Sequence, residues 1–384
     1  MVRLFVGVCL LYSTLATTSA TANSDASRPQ IKVAILDNLK FERLSTDKYA
    51  SDYMDGLATA RDVLSTQGTR IEIKLFTYDK DPLAILRLAP EVRDWQPDLV
   101  IGPRSSAQFM LLKGLFTDIL VVSPFATASA VALLPPNFYS MTLPNEYFTK
   151  AIVNLFKERF RGKAVAPIGE VDCKNCMDFI SEFGTAAAAA DVTVRKTTTV
   201  LTKNAETANI SDLLSNYKRG DIILLPNTSY TSAALAGRIS DQLKDDGVTF
   251  VGGDGWGDWS ASYVGKVKSP YSYSAYRATP WSLDSTDKSV TEFRSKFLKY
   301  RKALPTGVAS LLSYSTLMAA ITPLFGYTAD AKHELIRAKI LTAFQLKRTA
   351  DPNYARPTKY AVYRVTQSGE VFDGLVSALD GGNK

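Results

Sequence analysis

The chain of 384 residues carries a single histidine, His333, and only three cysteines. With one histidine, general acid–base chemistry lacks its usual carrier. His333 falls in a charged helical stretch and reads as a surface position. Zinc would need more ligands than Cys173, Cys176 and one distant histidine supply, and no metal or other cofactor is implied. The first strand ends in Leu36-Asp37-Asn38-Leu39-Lys40, so the G-x-G-x-x-G dinucleotide turn is missing. A P-loop and a G-x-S-x-G elbow are missing too. Ser45-Thr46-Asp47-Lys48 and Ser285-Thr286-Asp287-Lys288 match S-x-x-K only formally, in polar stretches without companion motifs. No nucleophile–base pair is visible, and the chain reads as a non-enzyme. After the first residues no run is apolar enough to span a bilayer. There is no Lys/Arg-rich block either: the formal charge of +7 is spread out. That pattern describes a solvated surface with a mild pull on anions and no nucleic-acid partner.

The beginning of the chain has the composition of a secretory signal, residues 1–22. Arg3 supplies the positive start and Leu4 to Leu15 a short apolar core. Thr18-Ser19-Ala20 or Ala20-Thr21-Ala22 offers the small-residue cleavage site. Lipid attachment at Cys9 is disfavoured because Val8 precedes it and Cys9 lies inside the apolar core. The mature chain is therefore expected to be soluble and exported, with a length that suits two lobes. Only Cys173 and Cys176 survive cleavage. In an oxidising compartment they form a local disulfide, whose small loop adds about 2 kcal/mol in the chain-entropy model. A redox Cys-x-x-Cys motif is the alternative, although nothing else resembles a thioredoxin-type site.

Strand and helix alternate over the first 130 residues or so, the signature of a parallel α/β sheet. Ile31 to Leu36 and Arg70 to Phe76 read as strands. Tyr49, Tyr53, Leu57, Ala60 and Leu64 recur at helical spacing, and Pro82 to Trp95 is a second helix. Turn residues around Pro135-Pro136-Asn137 and Leu143-Pro144-Asn145 mark a crossing. A second series follows, with strands at Ala164 to Ile168, Val192 to Val200, Asp221 to Leu225 and Val248 to Val251. Its helices fall at Met177 to Ala190, at Ile210 to Tyr217 and around Leu235, Ile239 and Leu243. Pro270 to Trp281 reads as a return crossing. Three helical stretches follow, Val290 to Arg301, Ala309 to Phe325 and Lys332 to Phe344, and a hairpin over Lys359 to Phe372 ends the pattern. The expected fold class is α/β: two Rossmann-like lobes with parallel sheets, joined by several crossings. Residues 30–142 plus 273–344 form lobe 1, and residues 143–272 plus 345–380 form lobe 2.

Two segments concentrate chemistry. Leu99-Val100-Ile101 runs into Gly102-Pro103-Arg104-Ser105-Ser106, and Leu120-Val121-Val122 into Ser123-Pro124-Phe125-Ala126-Thr127. Each is an apolar run, buried on both faces as in a parallel sheet, that stops at hydroxyl-bearing residues. Ligands of open α/β sheets bind at that carboxyl edge, where hydroxyls and backbone N–H groups suit a carboxylate. Arg104 forks onto a carboxylate or phosphate there, or else lies solvated on the rim. In Gly252-Gly253-Asp254-Gly255-Trp256-Gly257-Asp258-Trp259 the glycines allow close backbone approach. Asp254 then pairs with an ammonium group and Trp256 offers a cation–π wall; the bland reading is a turn with Trp256 in the core. Calcium at Asp254 and Asp258 matches no known loop fully. Tyr230, at another strand exit, is placed on the same cleft.

The order of elements and these turns resemble the type I periplasmic solute-binding proteins, the leucine/isoleucine/valine-binding family. The resemblance runs from Ile31 to Phe372. Gly102 to Ser106 is similar to that family's Gly-x-x-Ser-Ser turn, Ser123 to Thr127 to its Ser-Pro-x-x-Thr turn, and Gly253-Asp254-Gly255 to its acidic residue between glycines. The resemblance implies that Ser105, Ser106, Ala126 and Thr127 hold a ligand carboxylate, that Asp254 holds an ammonium and that Tyr230 lines the cleft. It also implies a three-crossing hinge that closes on a small ligand, an amino acid or small carboxylate, in the periplasm of a Gram-negative bacterium. The closed form would dock on the membrane permease of an ABC transporter or, alternatively, control a sensor partner. Two places depart from the family: Asp172-Cys173-Lys174-Asn175-Cys176 replaces a Tyr-Gly pair, and Lys40, Phe41, Glu42 and Arg43 replace a Gly-rich turn. Both imply a remodelled cleft.

Overall fold

The computed structural model describes residues 30–38, 48–78, 81, 83–244, 247–253, 255–256, 273–325, 332–350, 359–366 and 368–377. The leader, residues 1–22, and Asp254 lie outside these.

The first sheet has five parallel strands in the order β2-β1-β3-β4-β5. They are β1 (Gln30–Asp37), β2 (Arg70–Thr77), β3 (Leu99–Ile101), β4 (Leu120–Ser123) and β5 (Phe138–Ser140). Alternate side chains feed two separate cores, as the two-residue strand period requires. Val33, Ile35, Ile101 and Val122 pack against α1 (Lys48–Thr66) and two later helices, α9 (Val308–Ile321) and α10 (His333–Ala350). Ala34, Leu36, Val100 and Val121 pack on the other face against α2 (Ala84–Asp94) and α3 (Ser106–Leu111). Both faces are covered, so the central strands are continuous apolar runs.

The second sheet has seven strands in the order β12-β11-β10-β9-β8-β6-β7. Five run parallel: β6 (Val165–Glu170), β7 (Thr198–Val200), β8 (Ile222–Leu225), β9 (Val248–Gly252) and β10 (Tyr273–Thr279). The antiparallel hairpin of β11 (Lys359–Thr366) and β12 (Gly369–Ser377) closes one edge. Here α4 (Asn145–Arg159) and α5 (Lys174–Ala188) cover one face. The other face carries α6 (Ile210–Leu213) and α7 (Ser229–Leu243). The remaining helix, α8 (Lys288–Arg301), packs through Phe293 and Phe297 beside Leu311 of α9.

The expected order of elements is found, with four differences. Residues 135–145, expected as a crossing, hold β5 and the start of α4. A three-residue strand is too short for a periodic signal, and α4 begins directly after Pro144. The strand expected over Val192 to Val200 contracts to β7 and one bridge, Val165 to Val194. The helix expected over Ile210 to Tyr217 stops at Leu213. Finally, Tyr273–Thr279 is a sheet strand of the second lobe, paired with both β9 and β11, so the return crossing follows Thr279 and does not precede residue 273. At the two described crossings Trp281 donates its indole N–H to the Thr142 hydroxyl at 3.4 Å. Ser129 of the first lobe donates to Glu182 on α5 at 2.7 Å.

Candidate functional site

The carboxyl ends of β1, β3 and β4 meet at one edge because the three strands are parallel neighbours, with Ile35 opposite Ile101 and Ile101 opposite Val122. Asp37 leaves β1 there, Arg104 and Ser105 follow β3, and Phe125 and Thr127 follow β4. Gly102 makes the turn after β3 possible. Its φ is +103°, and a Cβ would lie 2.3 Å from the Leu36 carbonyl oxygen. Facing this edge across the crossings are Phe148 of α4, Gly253 and Gly255 after β9, and Arg277 and Ala278 of β10. Together they enclose a cavity of about 440 Å³, completed by Thr142, Thr279 and Trp281 and by the starts of α1 and α9. That volume suits a small molecule held between two lobes.

Four charged residues line the cavity: Asp37 with Arg104, Arg277, and Asp52, whose Oδ1 accepts the Thr306 hydroxyl at 2.7 Å. The Arg104 Nε–H donates to Asp37 Oδ1 at 3.1 Å, a second guanidinium N–H bonds Asn38 Oδ1, and the guanidinium lies 4.7 Å from the centre of the Tyr49 ring. Asp37 is 1% exposed; Oδ1 also accepts the Asn38 N–H, and the backbone N–H of Arg104 adds to the donors on this carboxyl. Burial pushes the Asp37 carboxyl above the ordinary value of 3.8, and the Arg104 charge pulls it partly back. On the opposite wall Arg277 makes a two-pronged contact with Glu370 at 2.7 and 2.8 Å and stacks on Tyr363. The uncharged walls are aromatic: Tyr49 and Phe125, 5.2 Å apart, with Phe148 and Trp281.

The two hydroxyl-rich turns divide their residues between cavity and scaffold. Ser105 and Thr127 line the cavity. Ser106 does not: its oxygen accepts the Ala128 N–H at 3.2 Å and fastens one turn to the other. Ser123 strengthens the same seam, donating to the Pro103 carbonyl at 2.7 Å and accepting the Ala126 N–H at 3.1 Å. Ala126 packs into the core, and its carbonyl takes the Ser140 hydroxyl at 2.7 Å.

Tyr230 and Trp256 correct the sequence reading. Tyr230 is half exposed at the start of α7, bonds Glu206 at 2.8 Å and is not part of the cavity wall. Trp256 is fully buried, with its indole N–H on the Ser232 hydroxyl at 2.9 Å. Its ring covers Gly252 so closely that a Cβ there would lie 1.9 Å from Cδ2. It is a core residue and offers no cation–π wall. Gly253 and Gly255 do face the cavity; Asp254 between them lies outside the described residues. Asp37, Tyr49, Asp52, Arg277 and Trp281 line the cavity without a place on the cleft in the sequence reading. For Asp37 the sequence carries a signal, a charged residue at the end of an apolar strand; Arg277 falls in a stretch that reads as a crossing and carries none. His333 is a helix residue bonded to buried Asp98 at 2.7 Å, away from the cavity.

The cysteines form the expected disulfide, Cys173–Cys176, at the exit of β6. Glu170 lies with them in the one cluster among the described residues whose ligand atoms are close enough for a metal, but both sulfurs are committed to each other. The arrangement can enclose and hold a solute: hydroxyls and paired charges for its polar end, aromatic walls for an apolar body.

No family model and no curated protein matches the chain. Solved structures do. A leucine-binding protein LivK from Thermotoga maritima superposes with a TM-score of 0.73 at 14% identity, covering 90% of this chain and 99% of that one. LivJ from Streptococcus pneumoniae, in complex with isoleucine, gives 0.68 at 13% identity, over 91% and 99%. A solute-binding protein of an ABC transporter from R. palustris, in complex with benzoate, gives 0.69 at 13% identity, over 92% and 98%. The chain has the type I periplasmic-binding-protein fold. In that fold the cavity is the space between the lobes, and the Ser105 and Thr127 turns form the wall that the first lobe contributes.

Proposed function

We propose that the chain is an exported solute receptor. It closes its two lobes on a small carboxylate with an apolar body, an amino acid or an aromatic acid, and presents the closed form to an ABC-type permease. The observation that carries this reading is the cavity of about 440 Å³ where the carboxyl ends of both sheets face each other. Strand ends supply polar groups at fixed positions, and two lobes joined by crossings supply the closing motion. Ser105 and Thr127 hold the carboxylate. Tyr49, Phe125, Phe148 and Trp281 cover the apolar part, and Asp37 with Asp254 takes a ligand donor group. The structures it superposes on include proteins bound to isoleucine and to benzoate, two carboxylates with apolar bodies. The composition of residues 1–22 supports delivery to the periplasm.

Thermal unfolding with L-leucine, L-isoleucine, benzoate and 3,4-dihydroxybenzoate tests the proposal. A true ligand at a hundredfold over its Kd adds about 2.7 kcal/mol of stability. Ser105→Ala and Thr127→Val each reduce its affinity about tenfold in calorimetry, the loss of one hydrogen bond to a charged group. No stabilisation by any small carboxylate would overturn the reading.

A further inference from the structure

The sequence Cys173-Lys174-Asn175-Cys176 leaves β6 and opens α5, which places two sulfurs in unequal surroundings. Cys173 is the N-cap of a 15-residue helix, and its sulfur accepts the Cys176 backbone N–H at 3.2 Å. That N–H and the positive end of the helix stabilise negative charge on the sulfur. Cys173 is also the accessible partner, half-buried between exposed Asp172 and Lys174, whereas Cys176 is 5% exposed. Glu170, itself 1% exposed, lies within 4.8 Å of both sulfurs. Its carboxylate is fixed by the Thr202 hydroxyl and by the N–H and hydroxyl of Thr228, the latter two at 2.9 Å. That carboxylate is near both sulfurs alike, so what sets the two apart is burial, which disfavours thiolate at Cys176 when the bond opens. One accessible sulfur at a helix N-terminus and one buried sulfur give the pair an asymmetry that directs thiol–disulfide exchange to Cys173. A passive clasp needs neither.

We propose that Cys173–Cys176 is a reversible exchange site for an external dithiol. A thiolate of the dithiol attacks the Cys173 sulfur. A mixed disulfide forms, the Cys173–Cys176 bond breaks, and Cys176 leaves with the electron pair and takes up a proton. The second thiolate of the dithiol then attacks its own sulfur in the mixed disulfide and displaces Cys173 as a thiolate. Two electrons pass to the protein, and the reductant departs as a cyclic disulfide. A disulfide oxidant reverses both steps. The ring also reaches the solute cavity. Asn175, inside it, accepts a hydrogen bond from the Asn145 side chain at 3.0 Å, and the Asn145 N–H donates to the carbonyl of Thr127 at 2.7 Å. Opening the ring therefore loosens the crossing that carries the cavity wall.

The test does not depend on knowing the solute. The folded full chain is treated with dithiothreitol without denaturant, quenched by alkylation and mapped by mass spectrometry. The proposal expects Cys173 and Cys176 to be reduced in the native state, at a rate proportional to dithiothreitol. A bond that survives until denaturant unfolds the second lobe would overturn it. In the Cys176→Ser variant, Cys173 should be alkylated at neutral pH on the order of tenfold faster than a peptide thiol. In Cys173→Ser, Cys176 should react more slowly than the peptide. Equal rates in the two variants would also overturn it. Amide exchange in the first turn of α4 should rise on reduction, and unchanged exchange would remove the link to the crossing.

Discussion

Replacing Arg104 by methionine isolates the charge pair that lines the first lobe's side of the cavity. Arg104 has a side chain 23% exposed, while the Asp37 carboxyl it faces is 1% exposed. Methionine keeps the apolar stem over Tyr49 and deletes the guanidinium. Asp37 then remains buried with backbone N–H donors from residues 38 and 104 and no cation beside it. Removing one partner of a buried pair costs about 3 to 5 kcal/mol, because an uncompensated charge stays inside. Arg104 is partly solvated, which places the expected loss at about 3 kcal/mol at pH 7. The loss should depend on pH. Burial already raises the Asp37 carboxyl, and removing Arg104 deletes the largest influence opposing that rise. Stability linked to a raised carboxyl is fully present below its unfolded value and is lost as pH rises through its folded value. The variant should therefore recover toward the wild type as pH falls from 7 into the range where Asp37 gains its proton. Asp37→Asn/Arg104→Met should recover at pH 7 to within about 1 kcal/mol of wild type, since no charge is left buried. Urea unfolding followed by circular dichroism measures all three chains. A cost under about 1 kcal/mol at pH 7, or a double variant no more stable than the single one, would refute the account.

Three other substitutions test the scaffold around the cavity. Gly56→Ala places a Cβ 2.1 Å from the Ser313 hydroxyl and 2.2 Å from the Ser310 carbonyl, between α1 and α9. Alanine's helix propensity favours it by about 1 kcal/mol, but overpacking against backbone outweighs that, and a net loss of about 2 kcal/mol is expected in thermal melts. Trp256→Phe deletes a buried hydrogen bond to Ser232 and should cost about 1 to 2 kcal/mol while leaving solute affinity unchanged in calorimetry. A loss of affinity there would return Trp256 to the cavity wall. Tyr230→Phe removes an exposed contact to Glu206, and stability should stay within about 0.5 kcal/mol with affinity unaltered.

The fold was readable because parallel strands covered on both faces are apolar runs. Leu99-Val100-Ile101 and Leu120-Val121-Val122 announce themselves, as do the helices whose apolar residues recur every third or fourth place. Elements too short for periodicity escape the sequence, and alternation without a partner strand misleads it. β5 is three residues long, and Val192 to Val200 alternates convincingly but pairs only at its end and at Val194. Tyr273–Thr279 reads as part of a crossing because aromatic, extended sequence looks the same in a connection and in a strand paired on both sides. At the site, the turns were legible as strand exits, but which hydroxyl faces the cavity was not. Ser105 and Ser106 differ by one residue, yet one lines the cavity and the other bonds a backbone N–H of the neighbouring turn. Trp256 is ambiguous in the sequence for a similar reason. A tryptophan after three glycines serves equally well as a wall or as a plug, and only the closeness of Gly252 decides for the plug.

Asp37 and Arg104 stand 67 residues apart. Nothing in either local sequence pairs them; the sheet order does. Because β1 lies beside β3 and parallel to it, with Ile35 opposite Ile101, the residues that follow the two strands emerge at one edge. With β1 at the sheet's edge, or β3 paired to β2 instead, the same Asp and Arg would leave at separate places and each would meet water. The exchange of strand neighbours that distinguishes one doubly wound sheet from another is thus also what decides the charge of the cleft. A short apolar run ending in a charged residue is consequently incomplete as a site signal until the neighbouring strand is known. Arg104 on the rim and Arg104 in a buried pair are the same sequence under two strand orders, and the order found here selects the pair.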